Sequence, residues 1–455
     1  MSKAAPRFEL GIKDLQSSAL PLGHAASQNF VAPSKNCTSC DPSSLLVICN
    51  GHGEDVVTFK VLEYLRYLVP ELPLQVLPLV GEGRVFTGAV QAGWLQMLEP
   101  LVYPPSGGFS NQGLGNLLMD LQSGLLLLSW KQWQIVRHSA AANTAILAVG
   151  DLLPLFFAWS SGGKYGFIGT PKSDYTWRSG PGHSLSDLYH RFKGSEWDPW
   201  EWNLMRSSRC RMVAVRDRLT ARGLQQHQVP AQALGNPVMD GLEAMQVPSL
   251  LRNYRRVLLL CGSRMPEAWR NFRRLLGAIS RSTISTPMAV LVATGGEPSE
   301  LELRQELESQ GYLLCPLPCE TTWAVTCYAN CSHLVLIGSG CFTHWASWAE
   351  VGVATAGTAT EQLTGLGIPA LSLPGHGPQF TWAFAQRQSR LLGGAAYPCN
   401  GPEELARGLE CLLTDNSLRR RMGTVGQQRM GAVGGSKRLA YQVVSSMLRQ
   451  RQNTI

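Results

Sequence analysis

The chain has 455 residues, 44% of them hydrophobic and only 16% charged, with 46 Gly, 27 Pro, 13 Trp, 12 Cys and a formal net charge of +8. At roughly 150 residues per domain this allows two or three domains with sizeable cores, and it excludes a disordered or fibrous chain. A low charged fraction with plentiful Trp points to unusual apolar or amphipathic surface, and so to a membrane or a lipid-like substrate.

Residues 1–44 lack the basic-then-apolar layout of a secretory signal and carry both signs of charge (Lys3, Arg7, Glu9, Lys13, Asp14), so we expect a mobile N-terminal tail. Leu45-Leu-Val-Ile-Cys49 follows as a continuous apolar run, then Asn50-Gly-His-Gly-Glu-Asp55 and a helical pattern of Val57, Val61, Leu62, Leu65 and Leu68. This opens a parallel α/β unit. The same grammar recurs at Ala145–Val149, Tyr165–Ile168 and Met212–Val215, each run ending in glycine or polar residues. Periodicity breaks between Gly241 and Tyr254, and Val257–Cys261 restarts it, with further strands expected at Met288–Ala293, Ser332–Ile337, Val351–Ala354 and Pro369–Leu373. The expected fold class is therefore α/β: two Rossmann-like domains facing across a cleft, over 45–245 and 255–425, with a basic C-terminal helix at 426–455 that could pack back on the first.

The longest apolar tract, Ala145 to Trp159, is interrupted by Asp151 and Pro154 and falls short of the roughly 20 residues a bilayer core needs, so no integral span is expected. Cys37 and Cys40 form a CxxC without a second pair, while Cys315, Cys319, Cys327 and Cys331 read as two CxxxC pairs, with Cys327 and Cys331 expected on one helical face. Ordinary thiols in a reducing compartment are the expectation, not a metal site.

The sharpest chemical signal is Thr355-Ala-Gly-Thr-Ala-Thr-Glu-Gln362. A strand ends at Ala354, Gly357 lets the backbone turn, and Thr358 can cap a helix starting at Ala359; free amides and the helix dipole then suit a diphosphate. Glu361 in the first turn can accept hydrogen bonds from two ribose hydroxyls, or else simply offset the dipole.

Further segments carry a resemblance. Gly235-Asn-Pro-Val-Met-Asp240, Cys261-Gly-Ser-Arg-Met-Pro-Glu267 and Leu373-Pro-Gly-His-Gly-Pro-Gln-Phe380, together with the Thr355–Gln362 loop, resemble lipid A disaccharide synthase, a nucleotide-sugar-dependent glycosyltransferase of the GT-B fold. The chain is more similar still to the lipid A disaccharide synthase-related proteins of cyanobacteria, through Asn50–Asp55, Val80-Gly-Glu-Gly83, Pro105-Ser-Gly-Gly-Phe109 and Gly169-Thr-Pro-Lys-Ser-Asp-Tyr175, over about residues 45 to 435. The resemblance implies that Gly262, Ser263 and Arg264 meet the donor diphosphate, that Gly357, Thr358, Thr360 and Glu361 hold phosphate and ribose, and that Gln379 faces the donor sugar. The true synthase has Leu-Glu after the second Thr where this chain has Glu361-Gln362, a departure that shifts the acidic register. Asn50, Gly51, Gly53, Lys172 and Asp174 fall on acceptor-side loops.

Glycosyl transfer needs a group to take the acceptor's proton. Asp151 matches the aspartate of the synthase's acceptor-side loop and ranks first as base, His52 second and Glu54 third, with Asp55 read as a helix cap. The acceptor-side loops differ from the true synthase, including the Trp-rich Trp197-Asp-Pro-Trp-Glu-Trp202, so the implied activity is transfer of a hexose from a nucleotide sugar, UDP-linked, to a lipid-like acceptor. No cofactor beyond that co-substrate is implied and no metal, since no DxD-type pair stands at a strand exit. A nucleotide-sugar epimerase or hydrolase, or an inactive sugar-nucleotide- or lipid-binding module, are the alternatives. Asn416 to Ile455 holds eight basic residues (Arg419, Arg420, Arg421, Arg429, Lys437, Arg438, Arg449, Arg451) and no acid. This suits either an anionic membrane surface or a solvated helix face; nucleic acid is not expected. The expected location is cytoplasmic, peripheral to a membrane.

Overall fold

The computed structural model describes residues 44–51, 53–99, 125–180, 182, 184–242, 244–317, 322–331, 333–375 and 380–448. The expected tail up to residue 43, with Cys37 and Cys40, and also Cys319, Pro105–Phe109, Arg449 and Arg451 lie outside them. The chain forms two compact units, an N-unit (up to Asp174, 183–240 and from Val433) and a C-unit (175–182 and Gly241–Ala432).

The N-unit is built on seven parallel strands: β1 (Leu45–Cys49), β2 (Leu74–Pro78), β3 (Leu95–Met97), β4 (Ala145–Gly150), β5 (Tyr165–Gly169), β6 (Cys210–Val215) and β7 (Ala231–Ala233). They lie in the order β3-β2-β1-β4-β5-β6-β7, which puts β1 and β4, side by side, where the winding reverses. Every residue of β1 and β4 is buried because both faces are covered. Leu45, Val47 and Cys49 enter one apolar layer and Leu46 and Ile48 the other, as a strand's alternation requires. Four helices matter below: α1 (Gly53–Leu68), α2 (Leu152–Ser160), α3 (Leu185–Lys193) and α4 (Pro199–Met205).

The C-unit sheet has eight strands: β8 (Arg255–Leu260), β9 (Met288–Thr294), β10 (Leu313–Cys315), β11 (Thr326–Ala329), β12 (His333–Ser339), β13 (Val351–Ala354), β14 (Ala370–Ser372) and β15 (Ala396–Pro398). Their order is β10-β11-β12-β9-β8-β13-β14-β15, parallel except that β11 runs antiparallel to both its neighbours. Val257 and Leu259 face one layer, Leu258 and Leu260 the other. Its relevant helices are α5 (Glu267–Ile279), α6 (Phe342–Trp345), α7 (Thr358–Gly365) and α8 (Asn416–Met430). Cys327 lies on strand β11 and Cys331 in the turn after it, which corrects the expected shared helical face. The Asn330 side chain accepts a hydrogen bond from the His333 amide at 2.8 Å, and this turn sends the chain back as a hairpin.

The chain then returns to the N-unit through α9 (Gly435–Val443), which packs on α1. Asp240, the last residue of Gly235–Asp240, explains the return. Its carboxylate accepts from the Gly434 amide, the Gly435 amide at 3.2 Å and the Ser436 amide at 2.6 Å, capping a helix nearly 200 residues downstream.

Candidate active site

In an open parallel sheet the reactive edge is the carboxyl end of the strands. In the N-unit that edge carries the loops after β1, β4 and β5. Gly51 adopts φ +95°, and a Cβ there would lie 2.3 Å from the Val80 carbonyl oxygen, so only glycine lets the β1 and β2 exits touch. Gly53 opens α1 with Glu54 and Asp55 in its first turn, and the Glu54 amide bonds back to the Gly51 carbonyl at 3.3 Å. Asn50 packs against Gly150 at the neighbouring exit.

Two of the three expected base candidates meet at this edge. Loss of water around Glu54 is the main force pushing its carboxyl up to about 7; its own backbone hydrogen bond opposes that, and the charges of Asp151 and Asp55 add to it. Thr170, at the β5 exit, donates to Glu54 Oε1 at 3.4 Å. Asp151 accepts from the Leu153 amide at 3.3 Å, capping α2. Asp55 is buried and accepts from the Cys49 thiol at 3.0 Å. His52 lies outside the described residues.

The other N-unit candidates face inward. Lys172 donates to both oxygens of the buried Glu201 at 2.7 and 2.6 Å and lies over the Trp197 ring at 5.0 Å. Asp174 is buried and accepts from the Glu196 amide at 2.7 Å. In the Trp-rich segment Trp197 is fully buried, edge-on to Phe167, and Trp202 stacks on His227 with centroids 3.7 Å apart. Trp200 stays exposed.

In the C-unit, β8 pairs with β13, so the Gly262–Arg264 loop and the start of α7 are adjacent. Gly262 adopts φ +90°, with the Thr355 carbonyl oxygen 3.5 Å from where its Cβ would be. Ser263 is exposed and Arg264 half-buried; loss of water lowers the Arg264 guanidinium from its usual range, partly offset by Glu267. Helix α7 starts at Thr358, with Gly357 as its cap and no side-chain cap, one residue earlier than the sequence suggests. Thr358 is exposed, whereas Thr360 is fully buried and donates to the Ala356 carbonyl at 2.6 Å. Thr360 therefore shapes the loop from beneath. Glu361 sits in the first turn of α7, half-buried, and Gln379 lies outside the described residues.

Two contributors carry little sequence signal. Gln388, buried, donates to the Ala356 and Gly357 carbonyls at 3.3 and 3.0 Å and so holds the loop before α7. Thr170 belongs to a quoted motif, but only the β4–β5 pairing brings it to Glu54. Among the described residues no group of three or more His, Cys, Asp or Glu is placed to hold a metal; Cys315 and Cys327 pair across β10 and β11 with sulfurs 3.0 Å apart.

No family model and no curated protein matches this chain. Solved structures do. MnaA of S. aureus in complex with UDP is 11% identical with a TM-score of 0.54, covering 89% of this chain and 96% of its own. A protein from Listeria monocytogenes described as a UDP-N-acetylglucosamine 2-epimerase is 11% identical at a TM-score of 0.52, covering 88% and 96%. A UGT transferase from Siraitia grosvenorii in complex with UDP is 13% identical at a TM-score of 0.52, covering 88% and 99%. At such identities the likeness is one of fold: two Rossmann-like units of the GT-B type.

Proposed function

We propose that the protein is a GT-B glycosyltransferase that moves a hexose from a UDP-sugar to a hydroxyl of a lipid-like acceptor, in the manner of the lipid A disaccharide synthase-related proteins. The observation that carries the reading is the Glu54 carboxyl, pushed up to about 7 beside Asp151 and Thr170 at the N-unit's strand exits. A base poised near neutrality takes the acceptor's hydroxyl proton as that oxygen bonds to the anomeric carbon and the nucleoside diphosphate leaves. Asp151, occupied as a helix cap, sustains the charge environment; Glu54, ranked third from sequence, takes the role of base. On the C-unit, Arg264 and the α7 amides supply the positive field that the departing diphosphate needs. Glu361 serves the ribose.

A lipid-like acceptor is supported by α3, whose Leu185, Leu188, Tyr189 and Phe192 are 86%, 53%, 43% and 92% exposed at helical spacing on one face. No helix among the described residues is long and apolar enough to cross a membrane, so the reading is of an enzyme lying at the surface.

The test is incubation of the protein with a panel of UDP-sugars and a total polar lipid extract, followed by mass spectrometry. A new glycolipid is the expected product, absent with Glu54→Gln. Free UDP without glycolipid makes the protein a hydrolase, and an isomerised UDP-sugar makes it an epimerase. UDP-sugar binding without turnover makes it a binding module.

A further inference from the structure

The edge of the C-unit sheet carries two thiols that the proposed function leaves unused. Strand β10 lies outermost, with β11 as its one neighbour in the sheet, and the two pair over three residues: Leu313 with Ala329, Leu314 with Tyr328 and Cys315 with Cys327. Burial does little to keep β10 there. Leu313 and Leu314 are 74% and 57% exposed, so the strand has little apolar area to lose on fraying.

Cys315 is the exception on this strand. Directly opposed residues share a face, and here Cys327 enters the apolar layer that holds Leu336 and Trp345 while Cys315 packs against it. The Cys315 thiol donates to Cys327 Sγ at 3.0 Å. Opposed residues of an antiparallel pair have Cα atoms roughly 4.5 or 5.5 Å apart, and both values fall inside the roughly 4.4–6.8 Å that a disulfide accepts. Closing the sulfurs to a bond of about 2.05 Å is therefore a movement of side chains, not of strands. The two thiols are also unequal. Cys327 is buried, and burial pushes its thiol up so that it keeps its proton, whereas Cys315 is half-buried on the edge strand, within reach of a small reagent. Cys261, Cys341 and Cys399 are buried in the apolar layers, where thiols are inert.

We propose that Cys315 and Cys327 form a reversible dithiol–disulfide pair, oxidised through Cys315 by a low-molecular-weight disulfide, which staples the edge strand to the sheet. The Cys315 thiolate attacks one sulfur of the external disulfide and expels the other, which takes up the Cys315 proton and leaves as a thiol. Cys327 Sγ then attacks Cys315 Sγ in the mixed disulfide, passing its proton to the second thiolate that it expels. Two electrons and two protons leave the pair, and one external disulfide becomes two thiols. The inference goes beyond the UDP-sugar reading and does not depend on it.

The test exposes the full chain to oxidised glutathione, blocks remaining thiols by alkylation, and maps the unreduced protein by mass spectrometry. Chymotrypsin cuts after Trp323 and Tyr328, which separates Cys315 from Cys327 and Cys327 from Cys331, while a Cys315–Cys319 bond would stay within one peptide. The expected product is the Cys315 peptide joined to the Cys327 peptide, released by dithiothreitol. Cys327→Ser should trap glutathione on Cys315, and Cys315→Ser should leave Cys327 a free thiol. In the unaltered chain, amide hydrogen exchange across 313–315 and 326–329 should slow on the order of tenfold or more after oxidation, a measurement that stands even if a serine variant fails to fold. Free thiols after treatment, a bond from Cys315 to Cys319 or Cys331, or glutathione on Cys327 in Cys315→Ser overturns the pair. Unchanged exchange in the oxidised chain overturns the staple.

Discussion

A carboxyl that loses water without gaining a cation keeps its proton to higher pH, and Glu54 is in that position. As a base it works only when ionised, so kcat/KM should fall tenfold per pH unit below about 7, and Glu54→Gln should lose about 10²–10⁴-fold in turnover with UDP affinity intact. Asp151→Asn removes a negative charge that raises Glu54, so the acidic limb of the pH–rate profile should move to lower pH; an unmoved limb would show that another group titrates. The same shift bears on stability. A carboxyl whose folded value exceeds its unfolded value contributes stability below the unfolded value, lost as pH rises through the folded one. The window runs from the ordinary glutamate value of 4.5 to about 7. Urea denaturation at pH 8 should therefore find Glu54→Gln more stable than the unaltered chain by roughly 3–4 kcal/mol at most, at about 1.4 kcal/mol per unit, and equal to it near pH 4. The sequence made Glu54 a candidate through its Gly-rich loop. It could not rank it first, because the shift comes from burial in the folded unit and from the charge of Asp151, about a hundred residues away in the chain, against the opposing hydrogen bond from Thr170.

Elements differ in how plainly they are written. The long buried strands β1, β4, β8 and β9 are legible as continuous apolar runs, since both faces demand apolar side chains. Of the five three-residue strands, β3, β7, β10 and β15 offer too few residues for a period to show, whereas β14 is legible because the buried run around it continues from Pro369 to Leu373. The β10–β11 pairing was illegible for a further reason: Cys315 and Cys327 oppose each other across a hairpin, which no helical or strand period announces. Helix packing is another such case. On α8, a Cβ at Gly423 would lie 2.1 Å from the Gly367 carbonyl oxygen, and one at Gly426 would lie 2.4 Å from that of Thr364. Glycine here permits α8 to touch the end of α7, the helix whose other end is proposed to meet the diphosphate. Gly423→Ala should therefore cost about 1–3 kcal/mol in urea unfolding, as overpacking does, and weaken UDP binding with it. Gly277, inside α5 with nothing within 4 Å of a Cβ, is the control: Gly277→Ala should stabilise by up to about 1 kcal/mol. Equal effects at both positions would remove the close approach as the cause.

For the whole molecule, the two α/β units were legible from the recurrence of strand, glycine loop and helix, whereas the fate of the basic C-terminal run was not. That run is divided: α8 belongs to the C-unit and α9 to the N-unit, drawn there by the Asp240 cap. Its cations are also unequal. Arg419 approaches Glu350 at 3.4 Å and donates to the Leu412 carbonyl, Arg429 lies over the Tyr175 ring, and Arg438 donates to the Leu234 carbonyl. Arg420 and Arg421 line a surface hollow with Asn416, Ser417 and Thr424, which leaves them to meet an anionic surface under the interfacial reading. The apolar part of that reading falls to Leu188 and Phe192 of α3, because Trp197 is buried. The two contributions separate by experiment. Sedimentation with vesicles containing anionic lipid should fall as salt rises, and replacing Arg420 and Arg421 by Gln should lower low-salt binding roughly fivefold per charge, at about 1 kcal/mol each. Leu188→Asp with Phe192→Asp should abolish binding to anionic and neutral vesicles alike, since a headgroup attraction without an apolar face to insert gives only loose association. Binding that survives the α3 changes but vanishes in salt would assign the surface to charge alone and free α3 for another partner.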